Sequence, residues 1–293
     1  MTDQPTASTP PAAPRAAATV VMLRDGTAGL EVFMVRRHGL SDVLGGTYVF
    51  PGGKVDPDDT QLQPQQHLDQ DPELLRTSLG EPDQELNVLQ ATALYVAAVR
   101  EAFEECGVLF AHGPDGAGPI DGAEVATHCR AGHSFNDAVA ALGLRLHTQA
   151  LVPWSRWITP AKSPIMTKRF DTRFFLAAAP AGQTAHHDDH EATASVWTTP
   201  QAALAMYRAQ EIELAPPQIM GLLHLAQHRG TQDALQSARA RRPPTIRPEV
   251  VDIGNGDRLL CYPGDKHHPE RERVLPGPSR VTYRQGRFEW LEE

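Results

Sequence analysis

The sequence predicts an α/β protein, and three observations carry that reading. Short β-rich runs punctuated by glycine and proline open the chain, an uninterrupted helical stretch occupies Leu86 to Val108, and strands and helices then alternate. With 293 residues, 41% hydrophobic and 22% charged, there is material for one sizeable core and a smaller appended unit.

Residues 1–18 are rich in Pro and Ala, with neither a positive start nor an apolar run, and read as a disordered tail rather than a secretory signal. The main domain is expected over 19–200. It starts with TVVMLRD and LEVFMVRR, a hairpin turning at Asp25, Gly26 and Gly29. GGTYVFPGGKVDPDD follows as a compact strand stopped by Pro51, Gly52 and Gly53. An insertion is expected at about 60–90, polar and rich in Gln, Asp and Pro, with a helical fragment at PELLRTSLG. The long helix comes next, with Gly107 as its C-cap. SFNDAVAALGL reads as a helix, and LVPWSRWITP, KRFDTRFFLAAAP and ATASVWTTP as strands. Pro200 opens a helix, PPQIMGLLHLAQHRG supplies another, and a β-rich end begins near Ile246. Residues 201–293 are thus expected to form a helical and β-rich extension packed on the core.

A formal net charge of −9 gives no general attraction to nucleic acid or anionic membrane, which favours a small substrate met by local cations or metal. No apolar run approaches the roughly 20 residues needed to span a bilayer, so no membrane partner is expected. Cys106, Cys129 and Cys261 lack the spacing of a disulfide framework or a zinc site, and a cytoplasmic location is the simplest reading.

The chemistry is written on the long helix. At about 100° per residue, Glu101, Glu104 and Glu105 share one arc, opposite Val96, Val99, Ala102, Phe103 and Cys106. The carboxylates are therefore expected to project outward together while the apolar face packs on a sheet. Carboxylates at i, i+3 and i+4 repel, and Arg100 alone cannot neutralise three of them. A hard divalent cation does so and keeps sites open for phosphate. The structural alternative is a solvated acidic face.

REAFEECGV, with GGKVDPDD upstream, resembles the Nudix box, Gx5Ex7REUxEExGU with U apolar. Arg100, Glu101, Ala102, Glu104, Glu105, Gly107 and Val108 match its second half, Gly53 matches its opening glycine, and Asp59 stands where the family usually has Glu. The departure is the spacer, because Thr60 to Val99 intervene where the pattern has seven residues. Closure entropy grows slowly with loop length, so the halves of a split box can still meet. YVFPGGKVD, AAVREAFEECGVLF, WITP and RFDTRFFLA together resemble the split-box subgroup that contains the Nudix 19 type coenzyme A diphosphatases.

The resemblance implies an α/β/α sandwich with a mixed sheet, the box forming loop, helix and loop beside the cleft. It implies Mg²⁺ or Mn²⁺ held by Glu101, Glu104, Glu105 and the Gly52 carbonyl, with Arg100 orienting the acids through Glu104 or Asp59. Glu101 and Glu104 would act in catalysis, and Glu191, in HHDDHEATASVW, is the loop candidate for general base. Arg36, Arg37 and Arg169 are candidates for phosphate contacts, with His38 and Arg173 as similar cases. Trp154 and Trp157 read either as base-stacking residues or as core. The implied reaction is hydrolysis of a phosphoanhydride in a nucleotide-like substrate, such as coenzyme A or acyl-coenzyme A. The alternatives are a catalytically silent nucleotide sensor, or a pyrophosphatase of nucleoside diphosphate sugars, NADH or RNA caps; a homodimer is left open.

Overall fold

Strand sequences in which both alternating faces are apolar demand a sheet covered on both sides. A computed structural model describes residues 13–39, 45–80, 86–114, 116, 120, 122–161, 163, 168–188 and 192–291. The chain begins with β1 (Arg15–Gly26) and β2 (Gly29–Arg37), then the short β3 (Tyr48–Val49) and β4 (Gly52–Lys54). A 3₁₀ turn (Pro57–Thr60), α1 (Pro64–His67) and α2 (Pro72–Ser78) precede the long α3 (Val88–Cys106). β5 (Ala111–His112), α4 (Ala123–Arg130), α5 (Phe135–Ala141) and β6 (Arg145–Leu146) lead to β7 (Val152–Ile158), β8 (Phe170–Ala178) and β9 (Ala192–Thr198). The rest comprises α6 (Pro200–Arg208), α7 (Pro216–Leu225), α8 (Thr231–Arg239), β10 (Thr245–Ile246), β11 (Glu249–Gly254), β12 (Asp257–Cys261), β13 (Arg280–Arg284) and β14 (Arg287–Glu289).

The central sheet is mixed, in the order β10-β7-β8-β1-β2-β3, with β4 on β1 and β9 on β2. β1 starts at Arg15, inside the segment expected to be tail, because Arg15–Leu23 pairs in parallel with Phe170–Ala178. Such long-range pairing is invisible in local composition. Ala18, Val20, Met22, Phe33, Val35, Phe175 and Ala177 face a core shared with α3, whereas Val21, Leu23, Val32, Met34, Phe174 and Leu176 face a second core under α6 to α8. The result is an α/β/α sandwich. β11 to β14 form a separate antiparallel sheet whose Leu260, Val281 and Phe288 join the second core.

α3 is capped at both ends. Asn87 and Gln90 make a reciprocal capping box, and Gly107 closes the helix in the left-handed region at φ 68°. Residues Ala91–Val99 are buried all round, because α2 covers the side of α3 that the sheet leaves open. That covering changes the expected picture of the acids. Glu105 is buried and Glu101 nearly so, while Glu104 alone is half exposed; the carboxylates do not project into solvent as a set.

Candidate active site

Arg100 joins the two halves of the site. Its Nε and Nη2 donate to the Asp59 carboxylate at 2.8 and 3.0 Å, a bidentate pair with a side chain 1% exposed. Its Nη1 donates to Glu101 and Glu104, each at 2.9 Å, and Nη2 also reaches the Lys54 carbonyl at 3.0 Å. The planar guanidinium fork serves all of these acceptors at once, which an ammonium does not. Burial by itself would lower the Arg100 pKa, but the Asp59 hydrogen bond and the charges of Glu101, Asp59 and Glu104 push it up. Burial raises the pKa of Glu104, and attraction to Arg100 offsets only part of that. Asp59 itself is fixed by the 3₁₀ turn, where it accepts the Asp56 N–H at 2.8 Å.

The glycine loop is pressed against the same acids. The Gly52 N–H donates to Glu105 Oε2 at 2.9 Å, and φ at Gly52 is +156°. A side chain there would run into the Ala18 carbonyl of the paired strand. A Cβ at Gly53 would collide with the Glu101 carboxylate. Glycine at 53 therefore leaves a cradle occupied by Glu101, and the set of carboxylate oxygens beside it fits a hard divalent cation. Burial and the Glu105 charge raise the Cys106 thiol pKa, which makes it inert rather than nucleophilic.

These groups open on a cleft of about 820 Å³. One wall carries Arg100, Glu101, Glu104, Glu105 and Gly52 to Lys54, with Arg37 and His38 at its edge. Arg37 Nη1 stands 4.0 Å from Glu105. The facing wall is largely apolar: Trp157, Phe170 and Phe174 from the sheet, Pro216 and Pro217 at the start of α7, and Leu260 and Phe288 from the C-terminal sheet.

Several expected residues fall elsewhere. Arg36 alternates with Arg37 along β2, is exposed, and does not line the cleft. Arg169 is also off the cleft, donating to the Thr159 carbonyl at 3.1 Å, whereas its neighbour Lys168 lines it. Arg173 pairs with Asp171 on the other face of β8, away from Phe170, Thr172 and Phe174. Trp154 is core, stacked on His224, while Trp157 reaches the cleft. Glu191 lies outside the described residues. The sequence reading missed Phe170, Thr172 and Phe174, although strict alternation along RFDTRFF was the signal for them, and it missed Leu260 and Phe288, for which no local signal exists.

The family model for the NUDT19 Nudix domain matches residues 7–225, spanning both halves of the split box. The chain belongs to this family. As a Nudix hydrolase it cleaves a diphosphate bond in a nucleotide-like substrate. Among curated Nudix relatives, the acyl-coenzyme A diphosphatase NUDT19 of Homo sapiens is 28% identical, covering 93% of this chain and 78% of the human protein. The protein of the same name from Gallus gallus is 26% identical over 88% of this chain and 79% of its own length. The crystal structure of a NUDIX hydrolase from Alicyclobacillus acidocaldarius superposes with a TM-score of 0.61 at 27% identity, covering 79% of this chain and 97% of that one. Nudix hydrolases use divalent metal, and the carboxylates around Arg100 are suited to hold it. No helix among the described residues is long and apolar enough to cross a membrane.

Proposed function

We propose that this Nudix hydrolase acts on coenzyme A or acyl-coenzyme A, with Mg²⁺ or Mn²⁺ held by Glu101, Glu104, Glu105 and the Gly52 carbonyl. The observation that carries the reading is the two-sided cleft, in which a carboxylate-rich wall faces one built from Trp157, Phe170, Phe174, Leu260 and Phe288. A ligand with a diphosphate at one end and an apolar arm at the other fits that division, and the names of the vertebrate relatives agree with it. When bound, the cation would withdraw charge from the diphosphate and make water at the site more acidic.

Arg100 holds Glu101 and Glu104 in register with the glycine loop. Arg37 and Lys168, rather than Arg36 and Arg169, meet the phosphate oxygens at the cleft edge. Water forms a new bond to one phosphorus while the bridging P–O bond breaks, and the bridging electrons leave on the departing phosphate. The water's proton passes to a carboxylate, Glu104 at the half-exposed corner of the site or Glu191, the residue just before β9 in the sequence. A reducing, cytoplasmic setting goes with Cys106, Cys129 and Cys261 as free thiols.

The test is product analysis by mass spectrometry on coenzyme A, acyl-coenzyme A, NADH, ADP-ribose and capped RNA with Mg²⁺ or Mn²⁺, comparing wild type with Glu105→Gln. Phosphopantetheine or its acyl form, released by wild type and lost in the variant, is the expected result. Turnover confined to NADH, ADP-ribose or caps would overturn the substrate assignment.

A further inference from the structure

Away from the cleft, three short segments meet. Asp69 follows α1 in the insertion, His112 ends β5, and His147 follows β6. β5 and β6 are two-residue strands that pair with each other, His112 opposite Arg145. Among the described residues, Asp69, His112 and His147 are the one group of three His, Cys, Asp or Glu side chains whose ligand atoms all lie within 4.8 Å of one another. We propose that this trio is a second metal site, separate from the catalytic helix, and that it takes Zn²⁺.

The chemistry of the donors selects the ion. Two imidazoles and one carboxylate suit zinc, whereas Mg²⁺ prefers an all-oxygen shell and stays with the glutamates of α3. Atoms no more than 4.8 Å apart leave a point within about 2.8 Å of all three, and side-chain rotation closes that to the Zn–N distance of about 2.0–2.1 Å. The shell around the ligands is in place. The Thr148 N–H and hydroxyl donate to Asp69 Oδ1 at 2.9 and 2.6 Å, which orients the carboxylate. His147 Nδ1 lies 2.6 Å from Asp69 Oδ2, and the two imidazole rings stand edge to face at 4.2 Å. His112 Nδ1 is buried with no hydrogen-bond partner, a polar atom that the protein alone leaves unsatisfied. His147, with its side chain 35% exposed, leaves a fourth position to solvent.

None of the three lines the cleft. Leu68, Asp69 and Gln70 of the insertion are already hydrogen-bonded to Arg145–Gln149, and the ion would tie His112 into that junction, adding a metal cross-link between the insertion that splits the Nudix box and both strands that follow α3.

The full-length chain, stripped of metal and returned to excess Mg²⁺ to saturate the glutamates, is titrated with Zn²⁺ by calorimetry and by thermal melting. Wild type and Glu105→Gln are expected to bind one Zn²⁺ per chain and to melt at higher temperature with it. His112→Gln is expected to bind at least about 100-fold more weakly and to lose the melting shift. This variant removes no hydrogen bond through Nδ1, so its fold should persist, and its unchanged far-ultraviolet spectrum checks that. Equal binding by wild type and His112→Gln, or no stoichiometric Zn²⁺ in wild type, would overturn the site and leave Asp69 as a hydrogen-bonded anchor for Thr148. Binding lost in Glu105→Gln but kept in His112→Gln would move the zinc to the catalytic helix and overturn it equally.

Discussion

The two walls of the cleft differ in what fixes them. On the α3 side, a single guanidinium reaches Asp59, Glu101, Glu104 and the Lys54 carbonyl, Gly53 leaves room for the Glu101 carboxylate, and the Gly52 N–H donates to Glu105. On the opposite side Trp157, Phe174, Leu260 and Phe288 come from four strands and are held by burial in the core under α6 to α8, with the partly buried Phe170 on the same strand as Phe174. Electrostatics sets positions sharply but fails when one partner is removed, whereas packing degrades gradually. The first wall should therefore govern the chemical step and the second the choice of substrate.

Removing the hub breaks the comparison most severely. Arg100→Ala strands a buried Asp59 beside two more anions and should cost about 3–5 kcal/mol of stability as well as activity, read by urea melts and turnover. A fully active, equally stable variant would show that the acids are positioned without it. Glu105→Gln is the sharper probe of the same wall. It should lower kcat by on the order of 100- to 1000-fold with KM for the diphosphate end little changed, and chelation of divalent metal should abolish the wild-type rate.

The apolar wall should answer in KM. Phe170→Ala is expected to raise KM for a long-chain acyl substrate by about 10- to 100-fold while leaving kcat on the unacylated substrate near wild type, the worth of about 1–3 kcal/mol of apolar contact. Equal losses on both substrates would assign Phe170 to the reacting end. A pH titration separates the walls again. His224, behind Trp154 on α7, is buried, and burial with the nearby Arg241 charge lowers its pKa from 6.5 to about 3. Between those values the unfolded chain binds the proton and the folded chain does not. Stability is thus intact above pH 6.5 and falls as pH drops toward 3, by at most about 1.4 kcal/mol per unit. His224→Gln should flatten that slope in acid melts.

Local signals carried much of this architecture. Gly107 closes the helix as expected, Gly52 and Gly53 mark a loop where side chains do not fit, and Arg100 meets both of the acids that the family resemblance offered as alternatives, Glu104 and Asp59. What stayed hidden depended on contacts distant in sequence. Arg36 and Arg37 are adjacent cations on one strand, and only the pairing of β2 with β3 and β9 decides which of them turns to the cleft. The same parity separates Lys168 from Arg169. α4 and α8 lack strong start signals, since neither is capped by a side chain, and both went unread. Leu260 and Phe288 enter the site through a sheet whose place is set by tertiary packing alone.

The salt-bridged junction at Asp59 has a practical consequence. Because the guanidinium, and not the covalent spacing, draws the two halves of the box together, the length of chain between them is free to vary. The stretch between the halves can accordingly gain or lose residues without resetting the geometry that cleaves the substrate, as long as α2 keeps its cover over α3.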